Sequence, residues 1–237
     1  MRGRYCLTPI ARVRSEFSEK FGIPRQSGLV DALRAQIVFE PAFRRPEALR
    51  GLAGYSHIWL IWQFSEVVAA GADGEHWRPT VRPPRLGGNT RMGVFATRSP
   101  FRPNALGLSC VRLVSIEPDT PEGPVLTVAG ADLLNGTPIY DIKPYLPSVD
   151  AHPEARAGFA GPAAGHALAV ADPQNLLAAL DEQTRQGLVG VLENDPRPGY
   201  QRDPGRVYGL TFAGWAVHFT VDGDVLTVTG IARANLK

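Results

Sequence analysis

A run of short apolar segments, closely spaced between residues 92 and 142, limits the folds open to this chain more than any other feature. Turn signals rich in proline and glycine separate them, and no stretch between them has the periodicity of a helix. Parallel βαβ sheets need a crossover between strands, so a β-barrel or a β-sandwich is predicted instead. The predicted strands are Met92–Thr97, Leu108–Ile116, Val125–Ala129 and Pro138–Ile142.

The N-terminal part of the chain continues this mainly β pattern. Leu7–Val13 and Ala35–Phe39 have the length and branched residues of strands, and Pro46–Gly54 is predicted to form one short helix. Ser56–Phe64 is an almost unbroken apolar run, which predicts a central strand buried on both faces. The chain contains no Gly-x-Gly, so a dinucleotide site of the Rossmann type is excluded.

The C-terminal third has a different composition. Residues 151–170 are rich in alanine, glycine and proline, which is typical of a linker. A helix is predicted from its cap at Asp172 to Leu192, because leucine and valine side chains recur on one side. Two hairpins follow, built from strands at Tyr208–Phe212, Trp215–Val221 and Val225–Ile231. We therefore expect a β domain at 1–150, a linker at 151–170 and a small α+β domain at 171–237.

The stretch Trp77–Leu108 carries six arginines, and no Asp or Glu occurs between Glu75 and Glu117. Guanidinium groups bind phosphate or carboxylate oxygens two at a time, so this composition predicts a site for a polyanion or a phosphate. A solvated basic face is the alternative interpretation. Prolines and glycines exclude a long helix here and predict loops with short strands. The arginines expected to contact the polyanion are Arg78, Arg82, Arg85, Arg91 and Arg102.

Charge is unevenly distributed along the chain. Residues 1–112 contain 17 Lys or Arg and 8 Asp or Glu, whereas residues 113–237 contain 8 and 15. The two parts therefore carry +9 and −7, although the whole chain carries only +2. Such polarity favours one face for a polyanion and another face for a different partner, such as a second copy of the chain.

The segment Leu134–Pro147 places three polar side chains, those of Asp141, Lys143 and Tyr145, at alternate positions. On a strand they would share one face, where burial without a function would be costly. The alternative is a surface ion pair between Asp141 and Lys143, which contributes little to stability. The sequence lacks the signatures of zinc sites, phosphate loops and serine hydrolases, so metal-free chemistry is predicted.

Two of these segments resemble the motifs of one family. RPPRLGGNTRMGVFATRSPFRPN and NGTPIYDIKPYLP are similar to motifs of the TrmO family, also called TsaA-like or YaeB-like, and DPRPGY at Asp195–Tyr200 extends the resemblance. The resemblance implies a barrel-type methyltransferase core that uses S-adenosylmethionine and works as a homodimer. It also implies methyl transfer to N6 of N6-threonylcarbamoyladenosine beside the anticodon of threonine tRNA. The polyanion would then be tRNA.

The resemblance implies site residues as well. Asp141 or Tyr145 would accept the proton, and Lys143 would instead engage the threonyl carboxylate. The sequence departs from the family pattern where Ala105 replaces a proline, where Asn135 replaces an aspartate, and at the pair of residues 65 and 66. The implied cofactor contacts are Pro24, Arg25, Gln26, Ser65, Glu66, Arg98, Leu108, Asn135, Gly136, Thr137 and Pro138.

Two other functions remain open from the sequence: a non-catalytic RNA-binding module, and a methyltransferase that acts on another RNA or on a small molecule.

No apolar run is long enough to span a membrane, and the N-terminal segment lacks the features of a signal peptide. A cytoplasmic protein with no membrane partner is therefore expected.

Overall fold

The computed structural model describes residues 6–69, 77–86, 88–163, 167–197, 201 and 203–234. Its strands are β1 Ala11–Ser15, β2 Arg34–Phe39, β3 His57–Gln63, β4 Thr80–Val81, β5 Met92–Gly93, β6 Leu106–Glu117, β7 Val125–Ala129, β8 Pro138–Pro144, β9 Ala169–Ala171, β10 Tyr208–Phe212, β11 Trp215–Asp222 and β12 Val225–Arg233. Its α-helices are α1 Ser65–Ala69, α2 Pro147–Asp150 and α3 Glu182–Glu193.

Six strands form a closed barrel in the order β1-β2-β7-β6-β3-β8, in which β8 pairs back to β1. All six pairings are antiparallel. Alternate side chains of these strands point inwards, and Ile37, Ile58, Leu60, Leu126 and Ile139 fill the centre with no exposed surface. The predicted β-barrel is therefore confirmed, with strands at most of the predicted positions.

Strand β3 is central, as predicted, but the prediction of burial on both faces is wrong. Ile58, Leu60 and Trp62 are buried, whereas the residues between them are partly exposed. A barrel strand has one face in the core and one on the outside. A continuous apolar run can therefore form such a strand although only one of its faces is buried. On the outer face the Trp59 indole packs at 5.7 Å from the Tyr145 ring and donates to Asp150 at 3.1 Å.

Three other local predictions are corrected. Strand β1 begins at Ala11 rather than at residue 7. The predicted strand at 92–97 reduces to the two residues of β5, which pair with β4, because the closed barrel offers no free edge to a seventh strand. The predicted helix at Pro46–Gly54 is two 3₁₀ turns, separated at Gly51, whose left-handed backbone (φ 88°) ends the first turn.

The C-terminal part forms a second sheet in the order β10-β11-β12-β9, against which α3 packs. The two predicted hairpins are confirmed. The predicted long helix is split into a 3₁₀ turn at Leu176–Ala179 and helix α3. Asp172 does cap the first piece, but Asp181 accepts from Thr184 N at 3.0 Å and starts α3 as a new cap.

The second core also draws on the N-terminal half of the chain. Phe17, Val30 and Leu33 pack in one cluster with residues of α3 and β10 to β12. Leu168 is buried and β9 starts at Ala169, inside the segment predicted as a linker. The boundaries at 151–170 stay a prediction, but the segment between β1 and β2 physically joins the barrel to the second sheet.

Candidate active site

A cavity of about 920 Å³ lies against the barrel where β3 and β6 meet the loop at residues 23–26 and the loop at 95–104. It gathers eight of the eleven residues that the family resemblance assigned to the cofactor. The eight are Pro24, Arg25, Gln26, Ser65, Glu66, Arg98, Leu108 and Thr137. Residues from five separate segments of the sequence therefore meet in one place.

The Pro24–Gln26 loop is held by a chain of hydrogen bonds. Arg98 donates from Nη1 to Oε1 of Gln26, and Nε2 of Gln26 donates to the Arg25 carbonyl. Arg25 in turn donates from Nη2 to the carbonyl of Arg197 at 3.1 Å. These bonds fix the two cationic side chains on one wall of the cavity, where they can bind an anionic group.

The turn at Asn135–Pro138 lies mostly outside this cavity. Asn135 accepts from Ser15 N at 3.2 Å through Oδ1, and Gly136 has a left-handed backbone (φ 80°) and donates to the Val13 carbonyl at 2.8 Å. Only Thr137 of the four lines the cavity within this chain. The contact that is visible for Asn135 is an acceptor contact, which an amide oxygen makes as well as a carboxylate. The cofactor role of Asn135, Gly136 and Pro138 stays a prediction.

Asp141, Lys143 and Tyr145 also lie away from this cavity. Asp141 and Lys143 form an ion pair of 3.0 Å with both side chains largely exposed, as the alternative interpretation stated. Tyr145 packs its ring against those of His57 and Trp59. Their catalytic role stays a prediction, and within one chain they are not positioned at the cavity.

Trp62 and Asp132 line the cavity, and the buried Ser109 connects them; the sequence did not single out any of the three. Trp62 Nε1 donates to Ser109 Oγ at 3.0 Å, and Ser109 Oγ donates to Asp132 Oδ1 at 2.7 Å. Burial raises the pKa of the Asp132 carboxyl, while Ser109 and the nearby charge of Arg98 act in the opposite direction. The sequence offers one signal for Asp132, which is the single acid in the otherwise apolar segment VLTVAGADLL at residues 125–134.

Gly107 explains why the Trp62 indole can lie flat on β6. A Cβ atom at position 107 would lie 2.3 Å from Cε2 of Trp62, which no real contact allows. Only glycine therefore lets the indole close over the strand and reach Ser109.

A second cavity of about 1520 Å³ adjoins the first and is lined by Arg25, Arg78, Arg82, Arg91 and Arg98. No Asp or Glu lines it among the residues that the structure describes. The two cavities share a wall formed by Arg25, Gln26, Phe95, Thr97, Arg98, Pro100 and Phe101. The arginine-rich stretch thus forms a cationic groove that is continuous with the predicted cofactor site.

One of the predicted polyanion contacts, Arg102, is placed differently from the others. Arg102 donates from Nη1 to the Thr97 carbonyl at 3.0 Å and to the Ser99 carbonyl at 3.4 Å, so it ties down its own loop. It lines the smaller cavity and not the larger one. The side chain of Arg85 lies outside the described part of the structure. The binding roles of all five predicted arginines stay predictions.

Within the described ranges, no three His, Cys, Asp or Glu side chains come together as a metal site. Over the same residues, no helix has the length and apolar character needed to cross a membrane.

Both parts of the chain match known domain models. Residues 12–151 match the tRNA-methyltransferase O N-terminal domain, and residues 167–234 match the TrmO C-terminal domain. Together these matches cover most of the chain, and the first includes every residue that lines the smaller cavity.

Similar whole proteins give the same result. The tRNA (adenine(37)-N6)-methyltransferase of Escherichia coli K12 is 41% identical over 218 residues, which is 90% of this chain and 89% of that protein. A putative S-adenosylmethionine-dependent methyltransferase of Pseudomonas aeruginosa is 41% identical over 91% of this chain and 92% of its own length. The crystal structure of TrmO from Pseudomonas aeruginosa superposes with a TM-score of 0.76 at 34% identity, covering 97% of this chain and all of that one. The chain therefore belongs to the TrmO family.

Proposed function

We propose that this protein transfers a methyl group from S-adenosylmethionine to N6 of adenosine 37 in tRNA. We propose further that the nucleoside it acts on is N6-threonylcarbamoyladenosine in threonine tRNAs, and that it works in the cytoplasm. The observation that carries this proposal is the shared wall between the two cavities. A small molecule in one cavity and an RNA strand in the other would meet there.

The smaller cavity fits the cofactor in size and chemistry. Its 920 Å³ lies within the range of about 300–1,000 Å³ that is usual for small-molecule sites. Phe64 and Leu108 offer apolar surface to an adenine ring, and Arg25 and Arg98 offer donors to a carboxylate. Glu66, which is paired with Lys20, offers acceptors for an ammonium or hydroxyl group. When bound, S-adenosylmethionine supplies an electrophilic methyl group.

The residues of the chain then have three tasks. They hold the target nitrogen in line with the methyl carbon, keep water out, and take up the proton that N6 loses on methylation. The hydrogen-bonded loop at residues 24–26 and the anchored loop at 97–102 serve the first task. For the last task, Asp132 is a carboxylate that lines the cavity, whereas Asp141 and Tyr145 do not line it in the same chain.

We also propose a homodimer, which would give Asp141, Lys143 and Tyr145 a route to the reaction. The outer face of β8, which carries Asp141 and Lys143, and Tyr145 just beyond its end would border the cavity of the second copy. Light scattering should then report a dimer at micromolar concentration. Mixing inactive Arg98→Ala and Asp141→Ala variants should restore part of the activity if each site draws on both copies. A fully active monomer would contradict this assembly.

Nucleoside analysis of tRNA tests the reaction. In a deletion strain, mass spectrometry should show N6-threonylcarbamoyladenosine without its N6-methyl derivative. Wild type and the control Arg45→Ala, an exposed arginine that lines neither cavity, should restore the methyl group, and Arg98→Ala should not. Unchanged methylation of this nucleoside in the deletion strain would contradict the proposed substrate.

In vitro assays separate the alternatives. Cofactor binding by the chelator-treated protein, measured by calorimetry, supports metal-free methyl transfer. Binding of tRNA without any cofactor binding would favour the RNA-binding module. Methyl transfer to an RNA other than threonine tRNA would favour the alternative substrate.

A further inference from the structure

The wall that the two cavities share carries aromatic side chains with unusually large exposure. Phe95 is 72% exposed and Phe101 is 55% exposed. Trp77, itself 38% exposed, lies beside Phe95 with ring centroids 5.8 Å apart and planes tilted by 30°. A single exposed apolar residue needs no explanation, but several on one wall mark a binding surface.

The backbone that carries these rings is well anchored, so their exposure does not reflect a loose loop. Phe95 sits in the 3₁₀ turn at Val94–Ala96, where Val94 is buried and accepts both the Thr97 N–H at 3.1 Å and the Thr97 hydroxyl at 2.8 Å. Beyond this turn the guanidinium of Arg102 holds the Thr97 carbonyl. The chain thus presents the two phenylalanine side chains from an anchored backbone.

The surroundings of the rings identify the chemistry of the partner. Five arginines line the cavity around Phe95 and Phe101, and its described lining residues include no acid. A partner with both flat aromatic groups and dense negative charge fits this wall. Single-stranded RNA has these properties, because its unpaired bases stack on aromatic side chains while its phosphates pair with arginine.

We propose that Phe95 and Phe101 form a stacking platform that receives the unpaired target base of the RNA and turns it towards the cofactor cavity. This inference rests on the proposed function, since it assigns a subsite to the nucleotide that is methylated. Arg78, Arg82 and Arg91 bind phosphates farther along the groove. Trp77 supports the Phe95 ring from the side.

Methylation kinetics test the platform, with an anticodon stem-loop RNA that carries N6-threonylcarbamoyladenosine at the target position as substrate. Phe95→Leu and Phe101→Leu keep apolar volume but cannot stack, so each should raise KM for the RNA by about tenfold. Phe95→Trp, which can stack, should keep KM near the wild-type value. The control Phe43→Leu changes an exposed phenylalanine that lines neither cavity and should have no effect. Calorimetry should give cofactor affinities within about twofold of wild type for all four variants.

A fluorescent base makes the readout specific for stacking. With 2-aminopurine at the target position, wild type and Phe95→Trp should quench its fluorescence on binding, and the leucine variants should not. Equal KM and equal quenching for Phe95→Leu, Phe101→Leu and wild type would overturn the platform.

Two further outcomes separate this inference from the proposed reaction. If wild type quenches the probe RNA but transfers no methyl group to the stem-loop that carries the natural target nucleoside, the proposed reaction is wrong and the platform stands. If Phe95→Leu dissociates a dimer while the monomers bind RNA as tightly as wild type, these rings pack against a second copy of the chain and the platform is overturned.

Discussion

Arg25 donates from Nη2 to the main-chain carbonyl oxygen of Arg197 at 3.1 Å, across 172 positions of sequence. Arg197 is itself fixed by Asp195, which accepts from its Nε at 2.8 Å and its Nη2 at 3.0 Å. Only 10% of the Arg197 side chain is exposed. The Asp-Pro-Arg motif near the C-terminus therefore supports the Pro-Arg-Gln loop that lines the smaller cavity, which gives a physical reason for both motifs to occur in one chain.

The first prediction concerns this support. Asp195→Ala removes the partner of a mostly buried guanidinium, so we expect a loss of about 2 kcal/mol in the free energy of unfolding, less than for a fully buried pair because Asp195 is partly exposed. Because Arg25 then loses a fixed acceptor, cofactor affinity should fall several-fold. Thermal unfolding and calorimetry measure the two effects. Asp119→Ala, at an exposed turn, is the control. Unchanged cofactor affinity in a destabilised variant would contradict the coupling.

The second prediction concerns the cationic groove. Replacing Arg78, Arg82 or Arg91 by alanine should weaken tRNA binding for every sequence and reduce the slope of log affinity against log salt by about one unit each. Cofactor affinity should not change. Filter binding over a salt series measures the slope, with Arg45→Ala as the control. A slope that stays at the wild-type value would remove these arginines from the phosphate contacts.

The third prediction sets Arg98 apart from the other arginines. Its guanidinium donates to Gln26 and lines both cavities. Arg98→Ala should lower cofactor affinity by about ten- to a hundredfold, the effect of losing a charge-assisted hydrogen bond of roughly 1.5–3 kcal/mol. The salt slope of tRNA binding should barely move. If Arg98→Ala instead resembles Arg91→Ala in both measurements, all arginines of the 77–108 stretch contact phosphates alike, and the cofactor site lies elsewhere.

The sequence predicted the barrel well, because strand formation depends on local patterns that one chain displays. Val125–Ala129 and Pro138–Ile142 lie almost where they were expected. The strand prediction at 92–97 was wrong because strand formation there depends on pairing with distant parts of the chain. Once β8 closes on β1, no edge remains for it, and that closure joins residues more than a hundred positions apart.

The candidate site likewise has one part that sequence motifs predicted and another part that depends on contacts between distant segments. Motif resemblance gathered the residues of the 24–26 and 98–108 segments, which do line one cavity. Asp132 and Ser109 were missed because their hydrogen bond depends on how β6 and the segment after β7 meet in space. The alternate spacing of Asp141 and Lys143 correctly placed them together, but spacing alone does not tell which cavity a strand face borders.

The fourth prediction concerns pH. Burial raises the pKa of Asp132, so the folded protein binds this proton more tightly than the unfolded chain does. This carboxyl therefore makes the fold less stable as pH rises from the unfolded pKa of about 3.9 through the raised folded value. Asp132→Asn removes the charge and keeps an Oδ1 acceptor for Ser109.

The stability of Asp132→Asn relative to wild type should thus increase from mildly acidic to neutral pH. Urea unfolding at a series of pH values measures the difference, in which the opposite effects of carboxyls with lowered pKa, such as Asp31 and Asp181, cancel. A difference that is constant with pH would show that Asp132 ionises as easily in the fold as in water.

The last prediction concerns Ala105, at the position where the family resemblance implied a proline. Ala105 is buried and has a left-handed backbone with φ 36°; its N–H donates to the Arg102 carbonyl at 3.2 Å, and its carbonyl accepts from Phe64 N at 3.0 Å. Proline holds φ near −65° and has no N–H, so Ala105→Pro should destabilise the fold by about 3 kcal/mol.

Ala105→Gly relieves about 1–2 kcal/mol of backbone strain but loses about 0.8 kcal/mol from the buried methyl group, so its net gain in stability should stay below about 1 kcal/mol. Ala213→Gly, at φ 50° in a hairpin turn, is the matched comparison. Thermal unfolding ranks the variants, and a proline variant as stable as wild type would show that residue 105 does not need the left-handed conformation.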